Sequence, residues 1–135
     1  MVEEKVLSAV DTNVVLRYIM LDDPVQSPLA EALMQEGEIL LLPTVMLETA
    51  WVLRSFYKLT RTEIADVLHA LVALENVVVR HRKQMIWAIE RFAEGADFPD
   101  VVHRVCAPPA KRFVTFDKGL PEDAASGLVP VELLA

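Results

Sequence analysis

A chain of 135 residues, 53% of them hydrophobic, has the size of one ordinary domain and ample material for a single core, which excludes a disordered chain. No apolar run approaches the roughly 20 residues of a membrane-spanning helix, and no basic-then-apolar leader opens the chain. The expectation is therefore one cytoplasmic domain over residues 1–135. A formal net charge of −7 excludes a module that holds nucleic acid by bulk positive charge, although acids gathered around cations would leave positive charge where phosphates sit.

Lys5 to Val10 is a short apolar run without helical period and predicts a buried strand ending at Asp11, followed by a helix over Val14 to Met20. Ser27 then Pro28 reads as an N-cap and first helical residue, and Gly37 stands where a glycine stops that helix. "EILLLP" predicts a second strand closed by Pro43, with Thr44 capping a helix that carries "VMLETAWVLRSFY". Thr60 and Glu63 form a capping box, and Ile64, Val67, Leu68 and Leu71 recur at helical spacing behind it. "NVVVR" predicts a short strand, and Met85, Ala88, Ile89 and Phe92 another amphipathic helix before Gly95. "DFPDVVHRVCA" reads as a short helix stopped by Pro108 and Pro109, "RFVTFD" as a strand ending at Asp117, and "GLVPVELL" as an edge strand because of Pro130. Strands alternating with helices imply a three-layer α/β/α sandwich around a central, mostly parallel sheet. Ligands in such sheets bind beyond the C-terminal ends of the strands, where Asp11 and Asp117 fall.

Each acid near that edge has a bland reading beside a functional one. Asp11 could cap the helix that follows it, and Thr12 and Asn13 could be turn residues. Glu48 has Thr44, Val45, Trp51 and Val52 as its helical neighbours, so the pattern places it on a largely apolar face without a local cation. Asp97 and Asp100 fit the N-cap and third position of one helix, where negative charge is favoured, and Arg104 could pair with Asp100 at the surface. Asp117 could be a turn residue. Together, carboxylates converging on one edge repel unless cations sit among them, and an all-oxygen set suits Mg²⁺ or Mn²⁺ acting on a phosphodiester.

The remaining chemistry is sparse. Cys106, alone of its kind, predicts a small buried side chain and no disulfide. His69, His81 and His103 lack zinc-ligand spacing, although His103 could touch a phosphate. Arg80, Arg82, Lys83, Lys111 and Arg112 could guide RNA, although solvated charge explains each of them better. A phosphohydrolase with a D-x-D-x-T nucleophile motif does not fit "DTNVV".

Over essentially its whole length the sequence resembles a PIN domain of the VapC toxin type, the ribonuclease half of a toxin–antitoxin pair. "DTNVVLRYIMLDDPVQ", "LETAWVLRS", "GADFPDVV" and "VTFDKGL" follow the order of that family's four acidic motifs. The resemblance implies that Asp11, Glu48, Asp100 and Asp117 are catalytic metal-site acids with Asp97 an additional ligand, supported by Thr12, Asn13 and Thr115. It also implies Mg²⁺- or Mn²⁺-dependent cleavage of RNA, a homodimer, and a cognate antitoxin covering the site. The alternative is a PIN fold that has lost activity and binds protein. The chain departs from the family's "DFADAL" and its long Ala-rich helix with Pro99, His103 and "APPAK", which predict a shortened helix.

Overall fold

The computed structural model describes residues 6–119 and 128–134. The first strand, β1, spans Leu7–Ala9, so Lys5 of the expected strand lies outside the described residues. Helix α1, Thr12–Met20, starts two residues earlier than its apolar pattern because Asp11 caps it, and it ends at Leu21 in the left-handed region. Helix α2 covers Gln26–Glu36. The expected Ser27 cap is wrong: Ser27 is buried inside the first turn, and the Asp23 carboxylate accepts from the N–H groups of Val25 (2.9 Å) and Gln26 (2.7 Å) instead. Gly37 does end α2, at a point where a β-carbon would stand 2.8 Å from the Leu33 carbonyl oxygen.

Strand β2 is Glu38–Leu40 and leads into α3, Pro43–Ser55. Here the expected Thr44 cap fails as well, because Pro43 already occupies the first helical turn, where its missing N–H is harmless and its fixed φ suits the helix. Helix α4, Arg61–Ala73, begins with the predicted capping box, formed in both directions: Glu63 N–H to Thr60 Oγ1 at 3.2 Å and Thr60 N–H to Glu63 Oε1 at 2.9 Å. Loss of an N-cap side chain costs about 1 kcal/mol. Thr60→Ala is accordingly expected to lower unfolding stability by about that amount, and a denaturant midpoint equal to that of the parent chain would show the box to be without consequence.

Strand β3 is Val77–Val78, α5 is Arg82–Ala93, α6 is Phe98–Val105, β4 is Phe113–Thr115 and β5 is Val131–Leu133. The prolines shorten α6 as expected. Of "GLVPVELL", Gly127 lies outside the described residues, and β5 begins after Pro130, whose carbonyl accepts from Phe113 N–H at 2.8 Å.

Six helices with parallel strands make a mixed α/β fold. The pairing differs from one continuous sheet: β1, β2 and β3 form one parallel ladder and β4 and β5 another, and among the described residues no ladder joins β1 to β4. Strands of two or three residues give each pair few ladder bonds, so packing holds the layers more than the sheet does. Helix α1 packs on α2, the run α4, α5, α6 packs in succession, and α3 touches α1, α4 and α6. Val15, Ile39, Met46, Leu53, Ile64, Leu68, Met85 and Ile89 meet in one core between them. Asn76 ties the turn before β2 to β3, its amide donating to Met34 and Gly37 carbonyls at 2.5 and 2.6 Å. No helix among the described residues is long and apolar enough to cross a membrane.

Candidate metal centre

Asp11 follows the C-terminal end of β1 by two residues, and its Oδ1 accepts the Val14 N–H at 3.1 Å. The bland and functional readings are therefore compatible. A carboxylate carries about four acceptor sites, so a cap uses one and leaves the second oxygen for another partner. Thr12 beside it is buried, and Asn13 is exposed.

Glu48 corrects an expectation. Its carboxylate is exposed, not set in an apolar face, because Trp51, one turn on, is itself exposed while the buried stripe of α3 runs through Val45, Met46, Thr49, Ala50 and Leu53. What Glu48 does share is a place: with Asp11, Thr12, Asn13, Leu16 and Val52 it lines an open cleft of about 310 Å³ between α1 and α3.

The other acids stand at the start of α6. Asp97 is its N-cap, accepting the Asp100 N–H at 3.1 Å. Asp100 is half-buried, and its carboxyl is pushed above the usual carboxylate range, first by loss of solvent and then by the negative charges of Asp97 and Asp117, against a smaller opposing pull from His103. Asp117, although it lies beyond β4, thus bears on the charge at the start of α6. Asp117 is held in its own turn, its Oδ1 accepting Gly119 N–H at 2.8 Å while its N–H donates to Thr115 Oγ1 at 3.0 Å.

The structure thus sets Asp100 under the charges of Asp97 and Asp117, and sets Asp11 and Glu48 in one cleft. Among the described residues no three His, Cys, Asp or Glu side chains stand close enough to grip an ion as they are turned. Asp11, Asp97 and Asp117 each have an oxygen committed to backbone N–H groups. The donor chemistry still fits a hard divalent cation, because all five groups are carboxylates and Asp100 is a partly desolvated carboxyl facing two like charges, a repulsion that a cation relieves.

Around this site several expectations change. Arg104 makes no surface pair with Asp100: it is 2% exposed, with its guanidinium 5.7 Å from the Trp87 ring centroid and Nη2 3.3 Å from the Val129 carbonyl. Its place on α6, three residues after buried Val101, turns it inward against α5. Cys106, expected to be buried, is exposed at the end of α6. His103 is exposed on the helix that carries Asp100, and Arg80, Arg82, Lys83, Lys111 and Arg112 are all exposed, with Arg112 paired to Glu132 at 2.6 Å. Sequence reasoning passed over Arg61, whose guanidinium reaches across to the turn before α6; its signal, an arginine directly after a capping threonine, is visible only once the turn is in place.

Compared with protein families, the chain matches the PIN domain over residues 9–124. No curated protein and no solved structure matches it.

Proposed function

The chain belongs to the PIN domain family, a nuclease-type fold acting on nucleic acid, and on that premise we propose that it is a metal-dependent endoribonuclease, the toxin of a VapC-type toxin–antitoxin pair. The observation that carries the reading is the Asp100 carboxyl, half-buried and repelled by Asp97 and Asp117, at the start of a helix whose "GADFPDVV" resembles the family's third acidic motif. Such a group is an unfavourable arrangement in a protein that binds no cation.

In this reading Asp11, Glu48, Asp97, Asp100 and Asp117 hold Mg²⁺ or Mn²⁺. The bound cation supplies Lewis acidity toward a phosphodiester and activates water at neutral pH. The chain's own residues orient the donors. The N–H of Val14 fixes the rotation of the Asp11 carboxylate, the N–H of Asp100 fixes Asp97, and the turn at Gly119, with Thr115 behind it, fixes Asp117. Each of these bonds occupies one face of a carboxylate and leaves the other for a ligand. Thr12 and Asn13, at the first turn of α1, are the polar groups nearest the cleft that Asp11 and Glu48 share.

The toxin assignment rests on the order of the four motifs, as do the homodimer and the antitoxin. A groove of about 400 Å³ between α1 and α2, lined by Val14, Leu29, Ala30 and Leu33 and running up to Asp11, is the surface on which an antitoxin segment covering the acidic site would lie.

The reading is tested by incubating the purified protein with a pool of structured RNAs in Mg²⁺, Mn²⁺ or chelator. Discrete fragments that require metal are expected. RNA left intact in every metal, together with no heat on titration with Mn²⁺, would replace the nuclease by a silent binding module.

A further inference from the structure

The turn that delivers Asp97 and Asp100 is pinned by a residue from another helix. Helix α5 ends at Ala93, Gly95 takes φ +118°, and α6 begins at Phe98, so four residues reverse the chain between two packed helices. Within that turn Gly95 N–H donates to Phe92 O (3.1 Å) and Ala96 N–H to Arg91 O (3.0 Å). These bonds set the start of the turn and leave the Phe92 and Ala96 carbonyls facing α4. Arg61 closes it: one nitrogen, Nη1, donates to Phe92 O at 3.0 Å and to Ala96 O at 2.7 Å, and the guanidinium lies 4.6 Å from the Phe92 ring centroid. Phe92 in turn packs on Phe98, the first residue of α6, with ring centroids 5.1 Å apart.

We propose that Arg61 is a positioning residue for the acidic site, holding the Ala96 carbonyl so that the next residue, Asp97, caps α6 and receives the Asp100 N–H. This rests on the metal-site reading given above. In this role Arg61 need touch neither cation nor RNA. It acts through one peptide unit, because a rotation of the Ala96–Asp97 peptide moves the Asp97 carboxylate and the first turn of α6 together. The capping box of Thr60 and Glu63 fixes the origin of the Arg61 side chain, and the planar guanidinium is the group that bridges two carbonyls while stacking on a ring. A lysine keeps the charge and gives up the plane.

The test compares Arg61→Met, which keeps the apolar stem, Arg61→Lys, and Val72→Ala, a buried cavity variant of the same helix that serves as the stability control. Arg61→Met is expected to lose about tenfold in Mn²⁺ affinity and about tenfold in kcat with little change in KM for RNA, the scale of lost orienting partners. Arg61→Lys should recover part of both losses. Val72→Ala, at a similar fall in Tm, should keep both parameters within twofold of the parent chain. Amide exchange of residues 96–101 should rise at least tenfold in Arg61→Met beyond its rise in Val72→Ala. Parent-like exchange and parent-like Mn²⁺ affinity in Arg61→Met would overturn the proposal. If the parent chain itself neither binds Mn²⁺ nor cleaves, the nuclease reading has failed separately, and amide exchange alone then decides whether Arg61 orders the turn.

Discussion

Asp11→Asn is expected to lose at least about a hundredfold in RNA cleavage while the protein stays folded. The lower bound follows from ligand chemistry: groups that merely orient a metal ligand are worth about 10–100-fold, and a ligand itself is worth more. Retention of the fold follows from the cap. Asp11 accepts the Val14 N–H, and asparagine caps a helix about as well as aspartate, so the amide oxygen takes over the same bond. Asp11→Ala removes cap and charge together and should cost about 1 kcal/mol besides. The pair of variants separates the two readings of Asp11. Cleavage rates and thermal melts of both, beside the parent chain, are the measurement. Full activity in Asp11→Asn would assign the residue to the cap alone and remove it from the metal site.

For Asp100→Asn the expected effects on stability and activity have opposite sign. Burial and the charges of Asp97 and Asp117 raise the Asp100 carboxyl above its ordinary value of 3.8, so the folded protein holds that proton more tightly than the unfolded chain does. The stability contribution therefore falls as pH rises from 3.8 through the raised value, and the penalty is fully present at neutral pH. The N-terminus of α6 favours the charge by about 0.3–1 kcal/mol, which keeps the net gain on neutralising Asp100 small. Metal-free Asp100→Asn should melt at or above the parent at pH 7 and lose that advantage in acid. Cation reverses the order. At free Mn²⁺ a hundredfold above its Kd the parent gains about 2.7 kcal/mol, roughly 10 °C in Tm for a domain of this size, and the variant gains little. Cleavage falls with the lost gain. A variant that is stabilised by Mn²⁺ as strongly as the parent would place the ion away from Asp100.

These expectations draw unequally on sequence and structure. The capping box was legible because its two side chains lie three residues apart and bond only to local backbone, so no distant neighbour can change it. Asp97 as the cap of α6 was legible for the same reason. Ser27 and Thr44 failed where a competing local group stood a few residues upstream: Asp23 captured the free N–H groups of α2, and Pro43 took the first turn of α3. Glu48 was misjudged because its i±3 and i±4 neighbours are largely apolar by type, yet Trp51 is exposed, and residue type alone does not say which side of a helix finds a partner.

By itself the sequence determined the alternation of strand and helix, the caps of α4 and α6, and the order of acids along the chain, because these follow from spacing within one element and its nearest residues. Only the tertiary structure decided that Arg104 turns inward onto Trp87 and that Arg61 holds the turn before Asp97. Each of those contacts joins elements far apart in the chain, and such contacts are set by how helices and strands pack, which no local pattern encodes.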